Sequence, residues 1–142
     1  MLRRLALSLA GGIITGIVAQ ESAWLAMNAL LPEVALNAAM LERDPGGAWL
    51  LPLLGAWLLG GAVAGLMATL IGRRRFSGHL AGAALTASAL LLVRAAWPDA
   101  GGLLAFAITP SLGAALGTAG GLRLLAPPDA RSVDRLRAHG MD

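Results

Sequence analysis

The chain has 142 residues, of which 57% are hydrophobic and only 13% are charged, about half the charged fraction of an ordinary soluble domain. It contains no cysteine, which excludes disulfides, thiolate metal sites and thiol catalysis. The net charge is +3 and every basic residue is arginine. These arginines flank apolar segments instead of forming a basic stripe with aromatic residues, which argues against nucleic-acid binding.

The first apolar segment begins at about Leu5 and continues through residues 24–31. Crossing the hydrocarbon core of a bilayer takes roughly 20 apolar residues in a helix, so this segment is long enough to be a span. A cleaved signal peptide is the alternative, because "MLRR" precedes an apolar run and Ala19 suits a cleavage site. The apolar character continues through "AWLAMNALL", which favours an uncleaved span.

The stretch "PEVALNAAMLERD", residues 32–44, follows the first span. Pro32 and Glu33 suit the first turn of a helix. Val34, Ala38 and Leu41 recur at helical spacing. The pattern therefore predicts a short amphipathic outer helix between spans one and two, resting on the membrane surface.

Three further apolar segments, at about 49–71, 79–96 and 103–125, predict three more spans. The turn "GRRRFSGH" joins spans two and three, with Ser77 able to cap the third helix, and "WPDAGG" joins spans three and four. The predicted fold is all-α: residues 1–125 form an integral membrane bundle of four transmembrane helices, and residues 126–142 form a polar cytoplasmic tail.

The arginines predict the orientation of this bundle. With four spans, nine of the eleven fall on one side of the membrane, and the positive-inside rule places that side and both termini in the cytoplasm. The exclusive use of arginine, with much alanine, leucine and glycine, indicates a GC-rich bacterial genome and hence a bacterial inner membrane. The nine are Arg3, Arg4, Arg73, Arg74, Arg75, Arg123, Arg131, Arg135 and Arg137.

The tryptophans agree with this orientation. Trp24, Trp49 and Trp97 fall at the predicted outer ends of spans, where an indole ring can lie at the membrane interface. Trp57 lies about 12 Å deeper than Trp49 at helical rise, so its position requires a packing explanation.

Each span also carries glycines at four-residue spacing. Small residues let helix backbones approach closely in lipid, where hydrophobic association between helices is weak. The pattern predicts a tight bundle, and the alternative is that one of these stripes faces a partner subunit. The glycines are Gly12, Gly16, Gly61, Gly65, Gly78, Gly82, Gly113, Gly117 and Gly121.

Two charges stand inside the predicted spans. Glu21 lies three residues before Trp24, and Arg94 lies three residues before Trp97, which predicts a similar depth in the outer leaflet. Charges within a membrane pair with each other or face water, so we expect either a structural Glu21–Arg94 pair or two side chains that reach separately to the headgroups. The functional alternative is a coupling carboxylate at Glu21.

Span four contains "AITPSLG", in which Pro110 frees the carbonyl of Phe106 and bends the helix. Thr109 and Ser111 could satisfy the freed groups. His79 and His139 have no acidic cluster at ligand spacing, so no metal site is expected. We also find no nucleophile–base pattern, phosphate loop or dinucleotide motif, so no cofactor is expected and enzymatic activity is not indicated.

The arrangement of a long first loop, then "LLPLLGAWLLGGAVAGLMATLIGRRR", then a short third span and a Pro-containing outer turn resembles a loose group of small four-span bacterial inner-membrane proteins of unassigned function. The resemblance covers most of residues 5–125 and implies no catalytic residues.

The sequence predicts a structural or accessory component that acts by helix–helix association with a membrane-protein partner or with itself. The alternative is a small oligomeric transporter or channel, in which Glu21, Gln20 and Thr109 line a shared wet cavity. A membrane enzyme ranks third, behind these two, because few polar side chains come together in the sequence pattern.

Overall fold

The computed structural model describes residues 2–30, 50–96, 98 and 101–126, and their regular structure is entirely helical. The all-α prediction is therefore confirmed over these ranges. The predicted amphipathic helix at 32–44 lies outside the described residues, as do residues 127–142 of the predicted tail. The helices are α1 (Leu2–Leu30), α2 (Leu50–Gly72), α3 (Arg75–Ala96), α4 (Leu103–Phe106) and α5 (Thr109–Leu125).

Four helical units are long and apolar enough to cross a membrane: α1, α2, α3, and α4 together with α5. This is the helix content of a multi-pass membrane protein, as the sequence predicted. The first unit, α1, lies close to its predicted bounds, and its 29 residues are about 43 Å long at helical rise. It therefore exceeds a hydrocarbon core of about 30 Å.

Helix α2 lies at the centre of the bundle, with α1 on one side and α5 on another. A Cβ on Gly12 would meet Ala64 and Ala68, whereas one on Gly16 would meet Gly60 and Ala64. The order of these contacts makes α1 and α2 antiparallel. On the other side of α2, the backbone of α5 comes close enough that Gly61 and Gly65 lie against Pro110 and Ala114.

Helix α3 closes the bundle against α1, α2 and α5. Its Gly78 lies where the hydroxyl groups of Thr69 and Thr118 converge, and neither hydroxyl has a hydrogen-bond partner among the described residues. Its Gly82 packs on Ala114 of α5, and its Leu85 reaches Gly16 of α1. Small residues thus mediate the helix contacts, as expected where backbones approach closely in lipid.

Two apolar clusters fill the interior of the bundle. One contains Ala64, Ala68, Ala81 and Leu85. The other contains Trp57, which is only 1% exposed and packs with Leu53, Ala89, Val93, Leu103 and Ala107. Trp57 therefore has the packing role that its depth required.

A tight turn links α2 to α3. Arg73 adopts a left-handed conformation with φ 54, and its backbone N–H donates to the carbonyl of Thr69 at 2.7 Å. This is a common way for a helix to end. Ser77 lies within the first turn of α3 instead of preceding the helix, and its buried hydroxyl lies 3.0 Å from the carbonyl oxygen of Ala68 and 2.7 Å from that of Arg74. It therefore joins the end of α2 to the start of α3.

The fourth span is divided into two helices just before Pro110. The sequence predicted a single bent helix, whereas the structure has a turn at Ala107 and Ile108 between α4 and α5. Pro110 lies in the first turn of α5, where its missing N–H disrupts least. The carbonyl of Phe106, which Pro110 leaves without its helical donor, accepts a hydrogen bond from the Thr109 hydroxyl at 2.5 Å. The expected role of Thr109 is thus found.

Candidate functional site

A cavity of about 250 Å³ lies between α1, α2 and α3, and its wall includes Glu21. We call it the Glu21 cavity. Gln20 and Glu21 supply its polar groups, and the other side chains are aromatic or aliphatic. The lining residues are Gln20, Glu21, Trp24, Leu53, Ala56, Trp57 and Leu92.

The Glu21 cavity lies nearer the start of α2 than its end. A Cβ on Gly60 would meet both the Cβ of Gln20 and the carbonyl oxygen of Gly16, so Gly60 is level with about residue 18 of α1. Glu21, three residues further along the antiparallel α1, is therefore level with about Trp57, which also lines the cavity. Trp57 is seven residues from the start of α2 and fifteen from its end, about 10 Å and 22 Å at helical rise. If α2 spans a membrane, Glu21 lies on the side of the midplane where α2 begins, which is the side that the sequence suggested.

Trp24 does not lie at the end of α1. The sequence placed this residue at the outer end of span one, in a segment that continues through residues 24–31, and α1 continues for six residues beyond it to Leu30. Trp24 is half-buried and packs against the cluster that contains Trp57 and Leu53. It is a packing residue in the bundle, and its indole does not mark the end of the helix. Trp49 and Trp97 lie outside the described residues.

Arg94 is not among the residues that line the Glu21 cavity. Leu85 of α3 lies level with Gly16 of α1. Arg94 lies nine residues beyond Leu85 along α3, whereas Glu21 lies only five residues beyond Gly16 along α1. At helical rise, the Arg94 backbone is about 6 Å further along the bundle. Both side chains are exposed, and no ion pair within 4.0 Å joins these two described residues. The pairing of Glu21 with Arg94 stays a prediction.

Among the described residues, those that line the cavity of Glu21 include no basic side chain. An ionised carboxylate at this depth needs a cation, water or hydrogen-bond donors to offset its desolvation. Gln20, which is half-buried beside it, can donate through its amide. The site can therefore accept a cation, a proton or a donor group from outside the chain.

The other predicted site residues lie elsewhere. Thr109 and Pro110 are not among the residues that line the Glu21 cavity, so the expected grouping of Glu21, Gln20 and Thr109 is not found. The nine glycines do come together: each lies against another helix of the same chain. This holds for Gly12, Gly16, Gly61, Gly65, Gly78, Gly82, Gly113, Gly117 and Gly121.

Sequence reasoning missed a contact between two hydroxyl groups on different helices. The hydroxyl groups of Thr86 on α3 and Ser111 on α5 lie 2.6 Å apart and are partly buried. The sequence assigned Ser111 to the groups freed by Pro110, and nothing indicated Thr86. Two isolated hydroxyls on different spans give no pairing signal in one sequence, because their meeting depends on how the helices pack.

No group of three or more potential metal ligands occurs among the residues that the structure describes. Comparison with known proteins finds no matching family model, no matching curated protein and no matching solved structure. The fold and the candidate site are therefore interpreted from the chain's own residues.

Proposed function

We propose that the chain is a small integral protein of the bacterial inner membrane, with both termini in the cytoplasm, that acts as a structural or accessory component. It would work by helix–helix association with a membrane-protein partner or with a second copy of itself. The observation that carries this proposal is Glu21, an exposed carboxylate level with Trp57 of α2, with no basic side chain in its cavity among the described residues.

The packing of the glycines indicates where a partner would bind. All nine glycines predicted for helix packing lie against helices of the same chain, so none of these stripes is left for a partner. Helix α1 instead exposes Ile14, Val18, Glu21 and Leu25, spaced by four, three and four residues. This spacing forms the seam of a left-handed helix pair. A partner helix along this α1 seam would cover apolar surface and supply a donor or cation to Glu21.

Cysteine cross-linking tests association along the α1 seam, because the native chain has no cysteine. We expect Val18→Cys, in native membranes, to form a disulfide-linked homodimer, or to be captured by a bifunctional thiol–amine reagent with one defined membrane protein. Leu91→Cys on α3 is the matched control, since this leucine is also exposed but lies away from the seam. A monomer with no cross-link from either position, confirmed in nanodiscs, would contradict the proposal.

A small oligomeric transporter or channel that uses Glu21 as a coupling carboxylate is the second candidate. It is favoured by one observation, the presence of Gln20 and Glu21 together in a cavity between three apolar helices. A carboxylate within a membrane span is a common element of proton and cation pathways. The two hydroxyl residues at the start of α5, Thr109 and Ser111, do not contribute to this cavity.

Flux measurements separate the two candidates. In proteoliposomes, the transporter hypothesis predicts proton or cation flux that Glu21→Gln abolishes while thermal stability is unchanged, because the amide keeps the shape of the carboxylate and removes its titration. Ser22→Ala, at the exposed neighbouring position, is the control and should leave flux unchanged. Association without flux would favour the structural role.

A further inference from the structure

A second cavity, of about 460 Å³, lies between α3 and α5 at the end of the bundle where α3 begins and α5 ends. We call it the basic cavity. Arg75 and His79 line it from the first two turns of α3, and Arg123 lines it from the last turn of α5. All three side chains are exposed. Two guanidinium groups and an imidazole from two helices thus surround one opening.

The rest of the cavity wall is mostly apolar. Ala115, Ala119 and Leu122 line it from α5 at intervals of four and three residues, so they share one helix face. Ala115 is eight residues before Arg123, which places it about 12 Å deeper at helical rise. The basic cavity therefore has positive charge at one end and an apolar wall that extends along the span.

The described residues that line the basic cavity include no carboxylate. Glu21, in the part of the chain that the structure describes, lies nineteen residues from the start of α1, about 28 Å at helical rise. Guanidinium groups bind phosphate oxygens in bidentate geometry and are more weakly hydrated than ammonium groups. The charge pattern therefore suits a phosphate anion.

We propose that the basic cavity binds the headgroup phosphate of an anionic phospholipid, with an acyl chain along Ala115, Ala119 and Leu122. A soluble phosphate would use the arginines but leave the apolar wall, about 12 Å long, without a role, whereas a phospholipid matches both parts. Basic pockets between spans bind anionic headgroups in this way. The inference rests on the membrane location in the proposed function, and it is independent of the α1 seam and of Glu21.

Lipid titration of the full chain, followed by native mass spectrometry, tests this inference. The probe is phosphatidylglycerol, with phosphatidylcholine as the zwitterionic comparison. Replacing both arginines, Arg75→Gln with Arg123→Gln, is expected to weaken phosphatidylglycerol binding at least about tenfold, because the charge-assisted hydrogen bonds of both guanidinium groups to the phosphate are lost. Phosphatidylcholine binding should change little.

A double variant that loses the same number of positive charges provides the control. Arg3→Gln with Arg73→Gln removes two exposed arginines from the same end of the bundle, and neither lines the basic cavity. This variant should retain phosphatidylglycerol affinity within about threefold, because only general attraction is lost. Equal losses in the two double variants would overturn the proposal, since they would indicate nonspecific attraction to the charged end.

Two further arms test the apolar wall and the source of the phosphate. Ala119→Trp keeps every charge, but its indole would occupy the space along the apolar wall. It should therefore weaken phosphatidylglycerol binding at least tenfold. This variant also tests the proposal if the arginine variant does not fold. Inorganic phosphate at millimolar concentration should neither bind measurably nor displace the lipid. Binding of inorganic phosphate as strong as that of the lipid, or full lipid affinity in Ala119→Trp, would overturn the proposal.

Discussion

The contact between α2 and α5 depends on individual glycines. A Cβ at Gly117 would overlap the carbonyl oxygen of Ala62, and the other nearby atoms are also backbone. Backbone atoms inside a packed helix cannot rotate away as the end of a flexible side chain can. Gly120, three residues further along α5, has no atom within 4 Å of the same position. The two glycines therefore differ in packing although they share a helix.

This difference predicts opposite effects of the same substitution. Gly117→Ala should lower the free energy of unfolding by about 1–3 kcal/mol, the usual range for overpacking. Gly120→Ala should leave it unchanged or raise it by up to about 1 kcal/mol, because alanine is the better helix former. Denaturant titration in mild detergent measures both. Equal effects would contradict the close approach of α2 and α5.

A second residue-scale prediction concerns Glu21 and Arg94. In the structure these residues are not bonded and Arg94 lies about 6 Å further along the bundle, so we expect Glu21→Ala and Arg94→Ala to have additive effects on stability, within about 0.5 kcal/mol. The pairing predicted from the sequence would instead make the double change less costly than the sum, because neither charge would be left alone. A double-mutant cycle of thermal unfolding in detergent decides between the two.

Two threonines that lie between helices differ in whether their hydroxyl groups are hydrogen-bonded. Thr86 on α3 and Ser111 on α5 share a hydrogen bond of 2.6 Å. Thr118 on α5 is 2% exposed, and its hydroxyl has no hydrogen-bond partner among the described residues. The threonine hydroxyl is therefore hydrogen-bonded on α3, whereas on α5 it is buried without a partner among the described residues.

Replacing each threonine by valine distinguishes these roles. Thr86→Val should lower the free energy of unfolding by about 0.6 kcal/mol, the average for hydrogen bonds between membrane helices. Thr118→Val should be neutral or stabilising, because it removes a buried hydroxyl that makes no hydrogen bond. Unfolding titrations in detergent compare the two, and a larger loss in Thr118→Val would indicate an unseen partner for that hydroxyl.

At the scale of the whole molecule, the sequence predicted the four apolar helices well because length and hydropathy are local properties. It also predicted that glycines would mediate packing, although not which helix each would meet. The division of span four was missed because Pro110 permits either a bend or a helix start. The packing of Trp24 against the cluster that contains Trp57 was missed because a tryptophan near the end of an apolar run also suits the membrane interface.

The shared location of the arginines supports the final prediction, which concerns orientation. The Nε–H of Arg4 donates to the carbonyl of Ile71 at 3.2 Å, and Arg75 and Arg123 line one cavity. The start of α1, the turn between α2 and α3, and the end of α5 therefore lie at the same end of the bundle. Arginine-rich ends are retained in the cytoplasm during membrane insertion, so we expect this end to face the cytoplasm.

Labelling from outside the cell tests this orientation. Gly101 is exposed at the opposite end, with no atom within 4 Å of the position that a Cβ would take, and the native chain has no other cysteine to react. Gly101→Cys should react with a membrane-impermeant maleimide in spheroplasts. A reporter fused after Asp142 should be active only in its cytoplasmic form. An external reporter combined with a protected Gly101→Cys would reverse the orientation, and an external reporter with a labelled cysteine would contradict the four-span count.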